Sequence, residues 1–304
     1  MIDISVCLCT FRRPEPLLRL LRSLRHLDPA TPRYEVIVVD NDARATAEPA
    51  IRQARAEGLQ LQYLVEPVRS IARARNRSLE PASGEYVAFI DDDEEAEPQW
   101  LVQLWGEVIR HGADGGLGPV LPKFSTGTPR WLIEGGFFER ARFPTGTVLE
   151  AKRTRTGNAL VRRRSLIALS GPFDERYDLT GGEDGELFAR LIDSGCRFIA
   201  VDSAIVYEHL SPARTTVSWL LRRGFLAGMD AARLYKATLR GRPRRFQRTR
   251  PLALALAWGI AGALLFPLFR GYGTARLSLA ARQLGRFAFH SGFSYRPYLE
   301  DSWR

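Results

Sequence analysis

The run Asp91-Asp92-Asp93-Glu94-Glu95 is the densest concentration of chemistry in the chain. Five adjacent carboxylates repel one another, and ionising them together in a partly buried place is costly. A bound divalent cation relieves that cost, and an all-oxygen donor set suits Mg²⁺ or Mn²⁺. A solvated acidic loop is the plainer alternative. It is disfavoured by the apolar run at 86–90, which fixes the first aspartate at the end of a strand. Further along, Gly181-Gly182-Glu183-Asp184 places two carboxylates behind two glycines. The glycines permit close backbone approach, and a helix dipole alone favours acids at such a start by ~0.3–1 kcal/mol. Beside a cation site, one carboxylate of this pair suits the removal of a proton from an attacking hydroxyl. Arg69, Arg73 and Arg75 lie close together between two strand patterns, which suits a diphosphate, with ordinary surface arginines as the alternative. Asp40 and Asp42 close another apolar run, where turn chemistry also accounts for them.

These residues need a frame. Residues 4–9 and 34–39 read as buried strands, 59–65 as a third and 86–90 as a fourth. Between them, leucines at helical spacing follow Pro14 and Pro16, and helical patterns recur at 45–57, 70–79 and 100–109. Strands alternating with helices predict an α/β fold with a mostly parallel sheet flanked by helices. Ligands of such sheets sit at the carboxyl ends of the strands. Thr10, Asp40 and Asp91 all fall there, from three strands, which gathers scattered residues into one candidate site. Residues 119–144 are rich in glycine, proline and aromatics and read as loops over that site. Short strands are expected at 156–162, 197–201 and 204–207, with helices at 163–169 and after Gly182.

The charge is uneven. The 304 residues carry 44 Lys+Arg and 34 Asp+Glu, a net charge of +10. Residues 211–304 hold 17 basic and 3 acidic residues, net +14, which leaves the first 210 at −4. We therefore expect two parts, 1–210 and a basic helical extension over 211–304. That extension carries an amphipathic helical stretch at 216–239, an arginine-rich linker at 240–250 and 18 uncharged residues at 252–269. At ~1.5 Å per residue the uncharged segment is borderline for spanning a hydrocarbon core about 30 Å thick. With its basic surroundings it predicts association with a membrane surface. Three cysteines exclude a disulfide-framed scaffold, and the first 30 residues show no secretory pattern.

Cys9-Thr10-Phe11-Arg12-Arg13-Pro14, Val39-Asp40-Asn41-Asp42, Arg75-Asn76, Asp91-Asp92-Asp93 and Gly182-Glu183-Asp184 resemble, in order and spacing, the motifs of family 2 inverting glycosyltransferases of the GT-A fold. Gly118-Pro119-Val120 and Thr156-Gly157-Asn158-Ala159-Leu160-Val161 look most like the branch that builds bacterial exopolysaccharide, such as succinoglycan glucosyltransferases. The resemblance implies that Thr10 and Arg13 hold the nucleotide, that Asp40, with Asp42 beside it, meets a uracil-like base, and that Arg75 lies near base or diphosphate. Asp91 and Asp92 would face the ribose, and Asp93, with Asp91, the metal. Asp184 would be the catalytic base, with Glu183 supporting it or touching the acceptor. Many relatives carry a histidine after the Val-Tyr of a late strand as a metal ligand. Here Glu208 holds that slot and His209 follows, so at most one of the two neighbours reaches the metal.

The expected reaction joins a sugar from a nucleotide sugar, UDP-linked, to a hydroxyl of a saccharide or lipid-linked saccharide. The diphosphate leaves with its charge balanced by the cation. One carboxylate takes the hydroxyl proton on the opposite face, and no covalent enzyme nucleophile is needed, so inversion follows. The expected location is the cytoplasmic face of the cell membrane, with no nucleic-acid partner. Two other readings remain open: a sugar nucleotidyltransferase, and a non-enzymatic basic membrane-binding protein. The first lacks a glycine-rich Arg-Lys loop after the first strand. The second leaves the ordered carboxylates unexplained.

Overall fold

The computed structural model describes residues 2–178, 181–238 and 246–293. In chain order the elements are β1 (Ile4–Thr10), α1 (Pro14–Arg25), β2 (Tyr34–Asp40), α2 (Glu48–Ala56), β3 (Gln62–Val65), α3 (Ile71–Leu79), β4 (Tyr86–Phe89), β5 (Glu94–Ala96) and α4 (Trp100–Arg110). Then come β6 (Gly115–Leu117), β7 (Val120–Phe124), α5 (Arg130–Glu134), β8 (Ala159–Arg162), α6 (Arg163–Ile167), α7 (Glu183–Asp193), β9 (Phe198–Ala200) and β10 (Val206–Leu210). Three long helices complete the chain: α8 (Val217–Thr238), α9 (Phe246–Leu265) and α10 (Arg270–His290). The arginine-rich linker expected at 240–250 lies largely outside the described residues.

A seven-stranded sheet runs in the order β3-β2-β1-β4-β8-β6-β9. Strands β3, β2, β1 and β4 are parallel neighbours, as are β6 and β9, while β8 runs antiparallel to β4 and β6. The period of two along each strand sorts its residues onto two faces. Ile4, Val6 and Leu8 of β1 join Val36 and Val38 in a core with the leucines of α1 and with α2 and α4. Cys7, Ile37, Val87 and Phe89 point the other way, into a core with α3, α6 and α7. Both faces are covered, which is why these strands are continuous apolar runs. A second, three-stranded sheet has the order β5-β10-β7.

Helix starts follow local rules. Pro14 opens α1, where a missing N–H costs nothing. Ser70 caps α3, its side chain accepting from the Arg73 N–H. Gly182 precedes α7 at φ +93°, a left-handed conformation that a glycine adopts freely.

The chain divides into two compact units: Met1–Pro122 with Arg140–His209, and Lys123–Glu139 with Leu210–Arg304. A single break after 210 was the expectation. The structure instead assigns 123–139, read as loops, to the helical unit. There Phe138 stacks on Trp219 with ring centroids 5.6 Å apart, and Leu132, Phe138, Leu210 and Leu220 form a small core. No helix among the described residues is long and apolar enough to cross a membrane.

Candidate active site

The first strand ends at Thr10, whose hydroxyl donates to Asp92 Oδ2 at 2.7 Å. Arg13, one residue before α1, donates to Asp92 Oδ1 at 3.0 Å and to Asp93 Oδ2 at 3.3 Å. Asp92 pulls the Arg13 guanidinium further towards its charged form, outweighing burial. Thus β1 and the turn after β4 are bound together through the second carboxylate of the run, and the adjacent parallel pairing of β1 with β4 is what brings them side by side.

The acidic run is not one solvated loop. Its five residues divide between a turn and β5, a strand formed by antiparallel pairing with β10. Asp92 and Glu94 are buried. Glu94 turns back to accept the Asp91 N–H at 3.0 Å. Burial, Asp91 and Asp93 hold the Glu94 carboxyl well above the usual carboxylate range, against the Asp91 N–H and Arg140, which lower it. Asp92 is also raised by burial, and Arg13 and the Thr10 hydroxyl pull it back. Asp91 is the open member, with its side chain 49% exposed. Its setting raises it, Arg75 lowers it, and Asp92 and Asp184 raise it further.

Of the three clustered arginines, only Arg75 enters this site. Arg69 lies over the Phe11 ring at 4.4 Å, and Arg73 pairs with Glu66 and Glu175. Arg75 is buried between Glu183, to which it makes a short ion pair, and Asp91 at 3.4 Å. Burial opposes the Arg75 charge, and Glu183, Asp91 and Asp184 outweigh it. One guanidinium therefore ties the β4 end to the first turn of α7. Glu183 is buried, with one carboxylate oxygen held by Arg75. Asp184, next along, is partly exposed, and its Oδ1 accepts the Gly185 N–H at 2.7 Å.

Asp40 is 0% exposed, and its oxygens accept from the Asp42 N–H, the Ala47 N–H and the Tyr63 hydroxyl at 2.8–3.1 Å. It closes the turn after β2 instead of facing solvent, and burial raises its carboxyl against those bonds. Asp42, also buried, pairs with Arg12 at 2.7 Å. At the far side, Glu208 and His209, expected as alternatives for a third metal ligand, each have a protein partner. Glu208 lies directly opposite Glu94 in the ladder and binds Arg140 at 3.1 Å. His209, on the other face of β10, pairs with Glu95.

The pattern of residues gave no signal for Arg140 and Arg155, which come from irregular segments. Burial and the nearby Arg140 push Arg155 down to about 10, opposed by Glu94, Asp184 and Asp91, and it remains a cation at neutral pH. Its Nε is buried without a hydrogen-bond partner among the described residues. Gly157 completes the floor: a methyl there would stand 3.0 Å from Glu94 Oε1 and 3.2 Å from Asp91 Oδ2. Behind it Asn158, at φ +57°, accepts from Trp100 Nε1 at 2.7 Å and donates to the carbonyls of Pro119 and Ala204 at 2.8 and 2.7 Å.

The donor set is all oxygen and carries excess negative charge at its centre, which fits a hard divalent cation. Among the described residues no three His, Cys, Asp or Glu side chains form a ready-made cation group. A cation shared with a diphosphate needs only one or two carboxylates, with phosphate and water completing its shell.

Comparisons with known proteins identify the family and the fold. The model of "Glycosyl transferase family 2" matches residues 5–169. The chain is 34% identical over 262 residues to the succinoglycan biosynthesis protein ExoM of Rhizobium meliloti, covering 86% of this chain and 79% of that one. It is 25% identical over 272 residues to the glycosyltransferase AglE of Haloferax volcanii, covering 87% and 82%. Among solved structures, the mannosyltransferase PcManGT of Pyrobaculum calidifontis, in complex with GDP-Man and Mn²⁺, superposes with a TM-score of 0.64 at 19% identity, covering 93% of this chain and 86% of that one. Staphylococcus aureus TarS in complex with UDP gives 0.54 at 19% identity, covering 97% and 93%. The α/β architecture is that of the GT-A glycosyltransferases, and with the family model covering more than half its length, the chain belongs to glycosyl transferase family 2.

Proposed function

We propose that the protein is an inverting, divalent-cation-dependent glycosyltransferase. It moves a sugar from a UDP-linked donor to a hydroxyl of a saccharide or lipid-linked saccharide during exopolysaccharide assembly, at the cytoplasmic face of the cell membrane. The observation that carries the transfer chemistry is the Arg75 bridge, which joins Asp91 at the β4 end to Glu183 and so sets Asp184 beside the carboxylate cluster. The name of the succinoglycan relative supports the polymer class, and neighbours solved with UDP and GDP-Man support a nucleotide-sugar donor.

In this reading Asp93 and Asp91 hold Mg²⁺ or Mn²⁺, whose charge offsets that developing on the leaving diphosphate. Arg13 and Thr10 fix Asp92 and thereby the turn that carries both ligands. Arg140 and Arg155 supply positive charge on the other side of the carboxylates. Asp184 accepts the proton of the incoming hydroxyl at a carboxylate oxygen, which requires it to be ionised and reachable. Arg75 and Glu183 keep it oriented. Asp40, with Tyr63 and Asp42, shapes the turn that borders the base rather than meeting the base from solvent.

The test is UDP release from UDP-sugars by purified protein with Mn²⁺ or Mg²⁺, with and without lipid-linked saccharide, and NMR of the product's anomeric configuration. Acceptor-dependent release with inversion is expected. Pyrophosphate turnover would instead indicate a nucleotidyltransferase, and no release at all a binding protein.

A further inference from the structure

Helix α9 carries an exposed row of large apolar residues along one side. Leu252, Leu256, Ile260, Leu264 and Leu268, the last just beyond its end, recur every four positions and are all exposed, between 40% at Leu252 and 79% at Leu268, while Leu254, Trp258 and Leu265 are half-buried. Small residues make its tightest inner contacts: Ala255 is buried, and Gly262 lies so near the Leu277 side chain of α10 that a methyl there would meet it at 2.7 Å. A helix packed in water shows the reverse, with large apolar side chains inside. Helices that meet through small residues while large ones face outward are the pattern of lipid surroundings, where hydrocarbon outside is no penalty. The same mode joins α8 to α10. Gly228 of α8 and Gly285 of α10 each lie against the neighbouring backbone, and Gly224 of α8 against the Ser278 backbone and hydroxyl.

We propose that the outer face of α9 and the turn into α10 lie in the plane of an anionic bilayer, with these five side chains among the acyl chains. The inference rests on the reading that the protein works at a membrane, and is independent of the transfer chemistry. The uncharged part of the helix, from Pro251 to Leu265, is about 22 Å long at ~1.5 Å per residue, too short for a core of about 30 Å. In-plane docking follows. The exposed Phe269 and Tyr272 at the turn are suited to the interface, where aromatic rings concentrate. Exposed arginines stand at both ends, Arg250 and Arg270, and the Arg276 guanidinium lies 4.8 Å over the Trp258 ring. Acidic headgroups complement that charge. A second copy does not, because residues 211–304 carry a net +14 and would repel themselves.

The test uses the full-length protein in flotation with phosphatidylcholine vesicles, with and without phosphatidylglycerol. The wild type is expected to float with the anionic vesicles and weakly with neutral ones. The double variant Leu256→Glu/Leu264→Glu is expected to lose at least about tenfold in apparent affinity, while Leu264→Trp retains it. Circular dichroism and UDP release to a soluble acceptor should match wild type in both, since these residues are exposed. If the wild type floats and the double variant floats equally, the assigned face is wrong and the membrane reading stands. If the wild type does not float, both fail. A wild-type dimer that the double variant abolishes, without flotation of either, makes the face a contact between copies and overturns the proposal.

Discussion

In the α/β unit Ile4, Val6 and Leu8 of β1 and Leu17, Leu20, Leu21 and Leu24 of α1 are wholly buried, and the charged residues that line its strand ends are knitted to one another. In the helical unit glycines lie at the contacts of α8 and α9 with α10, and a row of four leucines and an isoleucine along α9 stands outside. Each unit therefore leaves a different chemistry for an outside party: carboxylates in the first, hydrocarbon in the second. Water-driven burial accounts for the first arrangement. Close backbone approach accounts for the second, because a glycine-lined contact gains dispersion energy without needing large side chains inside.

The largest effect that would break this contrast is expected at the open edge of the α/β unit. Asp93→Ala should lower transfer on the order of 10³-fold or more while thermal unfolding stays near wild type. Near-normal turnover of this variant in EDTA-treated buffer would remove the cation from the mechanism. Next, Asp184→Asn keeps the shape of the side chain without its basicity, so transfer should fall roughly 10²–10⁴-fold with UDP affinity intact by calorimetry. A parallel loss of UDP affinity would make Asp184 a nucleotide ligand or a structural residue.

The buried side of the same unit should behave oppositely, costing stability instead of rate. Asn158→Ala leaves the Trp100 indole N–H and the Pro119 and Ala204 carbonyls without their partner. A loss of about 3 kcal/mol or more is expected in urea unfolding, with the surviving folded fraction still active. In the helical unit, a methyl on Gly228 would stand 2.0 Å from the Arg282 carbonyl oxygen, whereas one on Gly259 meets nothing within 4 Å. Gly228→Ala should cost about 1–3 kcal/mol. Gly259→Ala should be neutral or stabilising by up to about 1 kcal/mol. Equal effects would remove the distinction between the inner and outer faces.

The smallest effect is one of sign. The raised Glu94 carboxyl keeps its proton in the folded state at pH values where the unfolded chain has released it. The folded state then binds more protons, and stability falls as pH rises through that window. Glu94→Gln, which can still accept the Asp91 N–H, should therefore melt higher than wild type at neutral pH. It should lose that advantage below the ordinary glutamate range. A constant difference across pH would mean Glu94 is not the group that carries the strain.

Much of the α/β unit was legible because its signals are local. Apolar runs marked β1, β2 and β4, and the residues after them marked the strand ends. The strand β5 was hidden, since two glutamates and an alanine have no tendency to extend and become a strand only by pairing with β10. Arg140 and Arg155 were hidden for a similar reason: their place beside Glu94 is set by chain crossings, not by any neighbour in sequence. The run at 123–139 reads as loop because its partner, Trp219, lies some eighty residues away. Asp40 was legible as a strand-end residue, but its burial depends on Ala47 and Tyr63, which no motif contains.

The bare backbone at Gly157 has a consequence for descent. A methyl there would press on Asp91 and Glu94 at 3.2 and 3.0 Å, and Asp91, being half exposed, has room to give way. Glu94 is buried and has less room, so the change is expected to displace the carboxylate pair. Selection for folding alone would not retain this glycine, whereas selection for turnover would. Under the proposed function, Gly157→Ala is expected to lower turnover although every acidic residue stays in place.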